Sequence, residues 1–157
     1  MMGGGGTPNA VIIVAALTLC ASFIRPAPQI VSRPPLATLS AIVGADSAVV
    51  MRPAMSGLLP ASLGAARVRL AERLQDARPV ARAGKLLFGA GCEAHACDFE
   101  QAAWALDPGT GSMVAAIMTE VWDPGVSLRH REFAFYGASR RALPAPLARW
   151  AAARGLS

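Results

Sequence analysis

The sequence is poor in charge, in lysine, in histidine and in aromatic rings. Of its 157 residues 16% are charged and 6% aromatic, and the basic set is fourteen arginines with the single Lys85. Such a bias reads as nucleotide composition rather than a designed cationic surface. There are two histidines, His95 and His130, and three cysteines, Cys20, Cys92 and Cys97. No G-x-S-x-G, H-E-x-x-H, P-loop or C-x-x-C-H pattern occurs, which removes the common hydrolase, zinc-peptidase, nucleotidase and haem-attachment readings. With so few candidate acids, bases and ligands, the expectation is a non-enzyme without a cofactor.

Long apolar runs are also scarce, although 54% of residues are hydrophobic and mean hydropathy is +0.40. Alanine accounts for 33 of the apolar residues. About one third of the chain then carries side chains large enough for a core, which suits one small domain. The single long run is residues 10–24 (AVIIVAALTLCASFI), closed by Arg25 and Pro26. As a helix it spans roughly 22 Å, short of a hydrocarbon core near 30 Å. Residues 1–24 are therefore expected to be a signal peptide or anchor, although Met1 to Asn9 holds no Lys or Arg. Leu17-Thr18-Leu19-Cys20 resembles a lipoprotein cleavage box, with Leu19 where a small residue is wanted. The protein is expected to be exported, with membrane contact only through this segment, uncleaved or lipidated at Cys20.

Residues 25–60 are interrupted by Pro26, Pro28, Pro34, Pro35, Pro53 and Pro60 and read as a proline-rich, poorly defined linker. One short helix fits within Leu36 to Met51. Residues 61–157 read as the folded domain. Ser62 suits the N-cap of a helix running to Ala77, with Leu63, Leu70 and Leu74 on one face. Arg67, Arg69, Glu72, Arg73 and Asp76 fall on the other faces, where solvation is expected. The period then becomes strand-like at Lys85 to Phe88, Phe99 to Leu106, Ser112 to Trp122 and Arg131 to Tyr136. Turns are expected at Asp107-Pro108-Gly109-Thr110-Gly111 and Asp123-Pro124-Gly125. Pro144 and Pro146 open a C-terminal helix presenting Leu147, Trp150 and Ala151, with Gly155 past its end. The pattern predicts an α+β fold, an antiparallel β-sheet of about five strands with flanking short helices.

The net charge of +5 invites a nucleic-acid partner, but its distribution argues against one. From Cys92 to Asp123 there are six acids (Glu93, Asp98, Glu100, Asp107, Glu120 and Asp123) and no Lys or Arg.

Within that acidic stretch stands Gly91-Cys92-Glu93-Ala94-His95-Ala96-Cys97-Asp98. In an exported protein, cysteines five positions apart imply a disulfide, worth about 2 kcal/mol in the chain-entropy model. Such a ring pre-organises its tip, His95, for a partner. Two rival chemistries share these residues. Cys92, His95 and Cys97 could supply three zinc ligands, with His130 as the nearest further candidate. Phe88-Gly89-Ala90-Gly91-Cys92-Glu93-Ala94 satisfies G-x-G-x-x-A, a dinucleotide-loop pattern that requires Glu93 to Leu106 to be a helix.

The segment resembles the Ivy family, the bacterial inhibitors of vertebrate (c-type) lysozyme. That family shows a strand, then a disulfide-closed loop of pattern Cys-Lys-Pro-His-Asp/Asn-Cys, then a hairpin and a further strand. The matching positions are Cys92, Glu93, Ala94, His95, Ala96 and Cys97. Gly84-Lys85 opens the preceding strand, Asp98 or Glu100 follows the loop, and Arg131-Glu132-Phe133-Ala134-Phe135-Tyr136-Gly137 fits the last strand. Glu93 stands where the family has Lys, Ala94 where it has Pro and Ala96 where it has Asp/Asn. The resemblance implies a periplasmic inhibitor whose loop Cys92–Cys97 enters the lysozyme cleft, with His95 as the key contact. A homodimer is compatible with it. The alternative is an envelope binding or structural module with the same fold and another target.

Overall fold

The computed structural model describes residues 33–156; the segment 1–24 expected to be a signal peptide or anchor, with Cys20, and the prolines before residue 33 lie outside the described residues. Within the described residues six strands form one antiparallel sheet: β1 (Asp76–Ala77), β2 (Ala81–Ala83), β3 (Leu86–Cys92), β4 (Glu100–Asp107), β5 (Ser112–Asp123) and β6 (Leu128–Tyr136). Strands β3 to β6 follow one another as a meander, and β1 and β2 both pair with β3, giving the order β1-β3-β4-β5-β6 with β2 beside β3. Among the described residues three α-helices accompany them, α1 (Leu36–Leu39), α2 (Ala66–Glu72) and α3 (Ala145–Ala152). The α+β class and the antiparallel sheet agree with the sequence reading.

Strand β5 shows why the sheet reads as almost uniformly apolar. Met113, Ala115 and Ile117 face a core shared with the N-terminal segments, including Leu39, Val50, Leu58, Leu70 and Leu74. The alternate residues Ala116 and Met118 face α3, where they join Leu147, Trp150 and Ala151. Over Met113 to Met118 both faces of the strand are covered, so the alternation there separates two cores rather than core from solvent. Alanine is working core material here: Ala90, Ala103, Ala105 and Ala116 pave the sheet under α3. Their small side chains leave room for Trp150, which meets Phe133 edge-on with centroids 6.2 Å apart.

The two turns form through their aspartates. Asp107 Oδ1 accepts from the Gly109 amide at 2.9 Å, and Asp123 Oδ1 accepts from the Gly125 amide at 2.8 Å. Helix α3 ends in a paired-carbonyl cap: the Leu156 amide donates to Ala151 O and the Gly155 amide to Ala152 O, with Gly155 at φ +92°.

Three expectations change. The stretch read as a linker is packed: from residue 36 onward it forms α1 and a series of 3-10 turns that bury Leu39, Ile42, Val49, Val50 and Leu58. Three of its prolines start structure instead of interrupting it, with Pro35 and Pro60 at N-caps and Pro53 opening the turn at 53–58. Secondly, the helix expected from Ser62 to Ala77 is divided. A 3-10 turn at Ala61–Leu63 is separated from α2 by Gly64 at φ +44°, and Asp76–Ala77 leaves the helix to become β1. The Ser62 hydroxyl accepts from the Gly137 amide at 3.1 Å instead of capping a helix. Leu63, Leu70 and Leu74 are nevertheless buried together. Thirdly, Arg73 is not solvated; it is 7% exposed and paired beneath the sheet.

Candidate functional site

Strand β3 ends at Cys92, and β4 begins at Glu100, so residues 93–99 are the connection between two paired strands. Cys92 and Cys97 are joined by a disulfide, with Cα atoms 4.8 Å apart. Inside the ring the Ala96 amide donates to Glu93 O at 3.0 Å, closing a tight turn over Ala94 and His95. His95 takes φ +67°, the left-handed region, where histidine is tolerated better than a branched residue. Its side chain is exposed at the apex. The loop is tied down on both sides. Glu93 N donates to Glu100 O at 3.0 Å, and the Phe99 and Glu100 amides both donate to Ala96 O, at 2.9 and 2.8 Å. The Gln101 side-chain amide donates to Cys97 O.

The base of the loop is braced by a cluster that sequence reading missed. Arg73, from the residue after α2, donates through Nε to Glu100 Oε2 at 2.6 Å and through Nη2 to Thr119 Oγ1 at 3.2 Å. Thr119 Oγ1 donates to the same carboxylate oxygen at 3.0 Å. Glu100 and Thr119 are directly opposed in the β4–β5 register, so one carboxylate joins α2, β4 and β5 at the start of the loop. A sequence signal did exist, because Arg73 lies between Leu70 and Leu74 at the edge of the apolar face.

The electrostatics are milder than six acids suggest. Glu100 is paired with Arg73, Asp107 with Lys85, and Glu120 with Arg129 and Arg131. Glu93, Asp98 and Asp123 form no ion pair among the described residues, and Asp76 joins them with its Oδ2 3.6 Å from Cys97 Sγ. Exposed Phe99 and Trp122 flank this region, with the Arg129 guanidinium 5.6 and 6.0 Å from their ring centroids.

Both rival chemistries fail on geometry. The cysteine sulfurs are bonded to each other, so the Asp76, Cys92, Cys97 group offers one carboxylate and no thiolate. His130 sits within β6, paired in register with Val121, and its Nε2 contacts Glu132 at 3.3 Å. The dinucleotide loop is also overturned: Gly89, Ala90 and Gly91 lie inside β3, and Glu93 to Leu106 is a loop followed by β4 rather than a helix. The glycines answer to packing. A Cβ on Gly89 would collide with the Trp104 ring across the strand pair and lie 2.7 Å from Ser47 Oγ. One on Gly91 would lie 3.0 Å from Asp76 O.

Comparison with known families agrees with this geometry. No curated protein and no solved structure matches the chain. The family model described as inhibitor of vertebrate lysozyme (Ivy) matches residues 54–153, which takes in every strand, the disulfide loop and α3. The chain belongs to the Ivy family of lysozyme inhibitors.

Proposed function

We propose that this protein is an exported inhibitor of c-type lysozyme that acts by inserting the loop Cys92–Cys97 into the enzyme's cleft, with His95 meeting the catalytic carboxylates. The observation that carries this reading is the exposed His95 at the apex of a disulfide-closed turn. Lysozyme works with a protonated glutamic acid and an ionised aspartate. An imidazole can accept from the first and donate to the second, and so occupy the position of the scissile bond. As imidazolium at 4 Å from a carboxylate, with an effective dielectric constant near 20, it would gain about 4 kcal/mol before desolvation costs. The loop needs little ordering on binding, because the disulfide and its hydrogen bonds have already fixed it. Glu93, Asp98 and Asp76 give the surroundings of the loop a negative field that suits a basic enzyme.

The test is a bacterial-wall lysis assay with purified, oxidised protein lacking residues 1–24. Inhibition of c-type lysozyme is expected, and His95→Asn is expected to lose it by tenfold or more. Asparagine also tolerates the left-handed backbone, so the loop keeps its shape while the imidazole is removed. Lack of inhibition by the intact protein would leave the alternative, an envelope module with the same fold and another target. Full inhibition by His95→Asn would refute the mechanism while keeping the function.

A further inference from the structure

Behind the loop, between the sheet and α3, lies a cleft of about 630 Å³ that does not include His95. A volume of this order takes a small organic molecule. Phe88 and Trp150 give it apolar walls, and it is lined by Arg78, which follows β1, and by Arg149 and Arg154, in and just after α3. None of these three arginines forms an ion pair among the described residues. Arg154 is held in place in three ways. Its Nε donates to Gln101 Oε1 at 2.5 Å, its Nη1 donates to Trp150 O at 2.9 Å, and its guanidinium lies over the Trp150 ring at 4.5 Å. Two of its five N–H groups are thereby used, and three have no acceptor among the described residues. Burial, and then the charges of Arg78 and Arg131, lower the Arg154 pKa from the ordinary arginine value. Arg78 and Arg131 add like charge around Arg154, which a bound anion would relieve. The Trp150 indole N–H is buried without an acceptor among the described residues. Asp76 and Asp98 line the cleft as well, and Asp76 stands against the disulfide. A ligand's negative end would therefore turn away from the disulfide and toward the arginines.

We propose that this cleft binds a small organic anion, a carboxylate or phosphate carried on an aromatic or apolar body, with its charge on Arg78 and Arg154 and its body against Phe88 and Trp150. Planar guanidinium groups bind both oxyanions through paired hydrogen bonds, so the chemistry common to the two is what the site would recognise.

The experiment is a titration of the oxidised, isotope-labelled protein followed by the Trp150 indole N–H resonance. The probes are phenyl phosphate, phenylacetate, inorganic phosphate and the neutral benzyl alcohol. Saturable shifts with phenyl phosphate or phenylacetate are expected, and the tighter of the two identifies the preferred oxyanion. Inorganic phosphate is expected to bind more weakly than phenyl phosphate, and benzyl alcohol not to saturate. Arg154→Gln is expected to raise the dissociation constant about tenfold or more by removing a charge-assisted contact. Arg78→Gln, at an exposed position, is expected to do the same and serves where Arg154→Gln does not fold. Absence of saturation with both aromatic anions would overturn the proposal. Binding of benzyl alcohol as tight as that of phenyl phosphate, or an unchanged constant in Arg78→Gln, would overturn it equally.

Discussion

Glu100→Ala isolates the buried cluster that supports the loop. The Arg73 side chain is 8% exposed and that of Glu100 21% exposed, so the guanidinium has exchanged water for this carboxylate and Thr119. Removing one partner of a buried ion pair costs about 3–5 kcal/mol, because the remaining charge is left without compensation. Glu100 is a fifth exposed, so water can reach part of the space it vacates. That places the expected loss at the lower end, about 3 kcal/mol. With a urea dependence of about 2 kcal/mol per molar, the unfolding midpoint falls by roughly 1.5 M. The double variant Arg73→Met, Glu100→Leu removes both charges and is expected to lie within about 1 kcal/mol of the parent, since apolar replacement of a buried pair is often close to neutral. Thr119→Val should cost about 1 kcal/mol, the worth of the hydrogen bond it gives to Glu100. Equilibrium urea unfolding of the parent and these three variants measures each loss. A loss below about 1 kcal/mol for Glu100→Ala, or a double variant as unstable as the single, would show that Arg73 finds other partners and that the cluster does not brace the loop.

Replacing both Cys92 and Cys97 by serine releases a six-residue ring and about 2 kcal/mol of loop entropy. If that entropy is reclaimed at the interface, lysozyme affinity falls roughly 30-fold; calorimetric titration giving parental affinity would place the disulfide's role in the fold alone. Gly89→Ala drives a methyl group into Trp104 and toward Ser47, which overpacking makes a loss of about 2 kcal/mol. An unchanged thermal midpoint would mean that the Trp104 ring has room to move.

Much of the sheet was legible because its signals are local. The Asp-Pro-Gly turns, the apolar runs between them and the proline-opened, glycine-closed C-terminal helix each carry their own chemistry, and the disulfide follows from two cysteines that the short ring brings together. The remainder depends on partners distant in sequence. Ser47 is fully buried, accepting from the Ala90 amide at 3.1 Å and donating to Arg78 O. The Trp104 indole donates to Ser47 O at 3.0 Å. No periodicity near residue 47 announces that β3 and β4 will supply those partners. The same holds for Arg73, whose acceptor lies 27 positions away. Gly89 and Gly91 misled for the opposite reason. A glycine pattern reports only that a backbone is closely approached, and here a tryptophan ring and a neighbouring strand make the approach rather than a phosphate.

Charge is where the folded protein departs furthest from its linear reading. Six acids without a base between Cys92 and Asp123 suggest a uniformly negative site, yet Glu100, Asp107 and Glu120 are met by Arg73, Lys85, Arg129 and Arg131 from outside that stretch. What remains near the loop is Glu93 and Asp98, with Asp76 contributed by β1. Arg78, Arg149 and Arg154 line the cleft behind the loop, and Asp76 and Asp98 line it with them. Fields from exposed charges fade within about 8 Å at physiological salt. Sign is therefore set at contact range, negative beside the disulfide and positive at the arginines, and the net charge of +5 describes neither. The two proposals thus ask different signs of one small domain: a negative surround for a basic enzyme at the tip of the loop, and arginines for an anion in the cleft behind it.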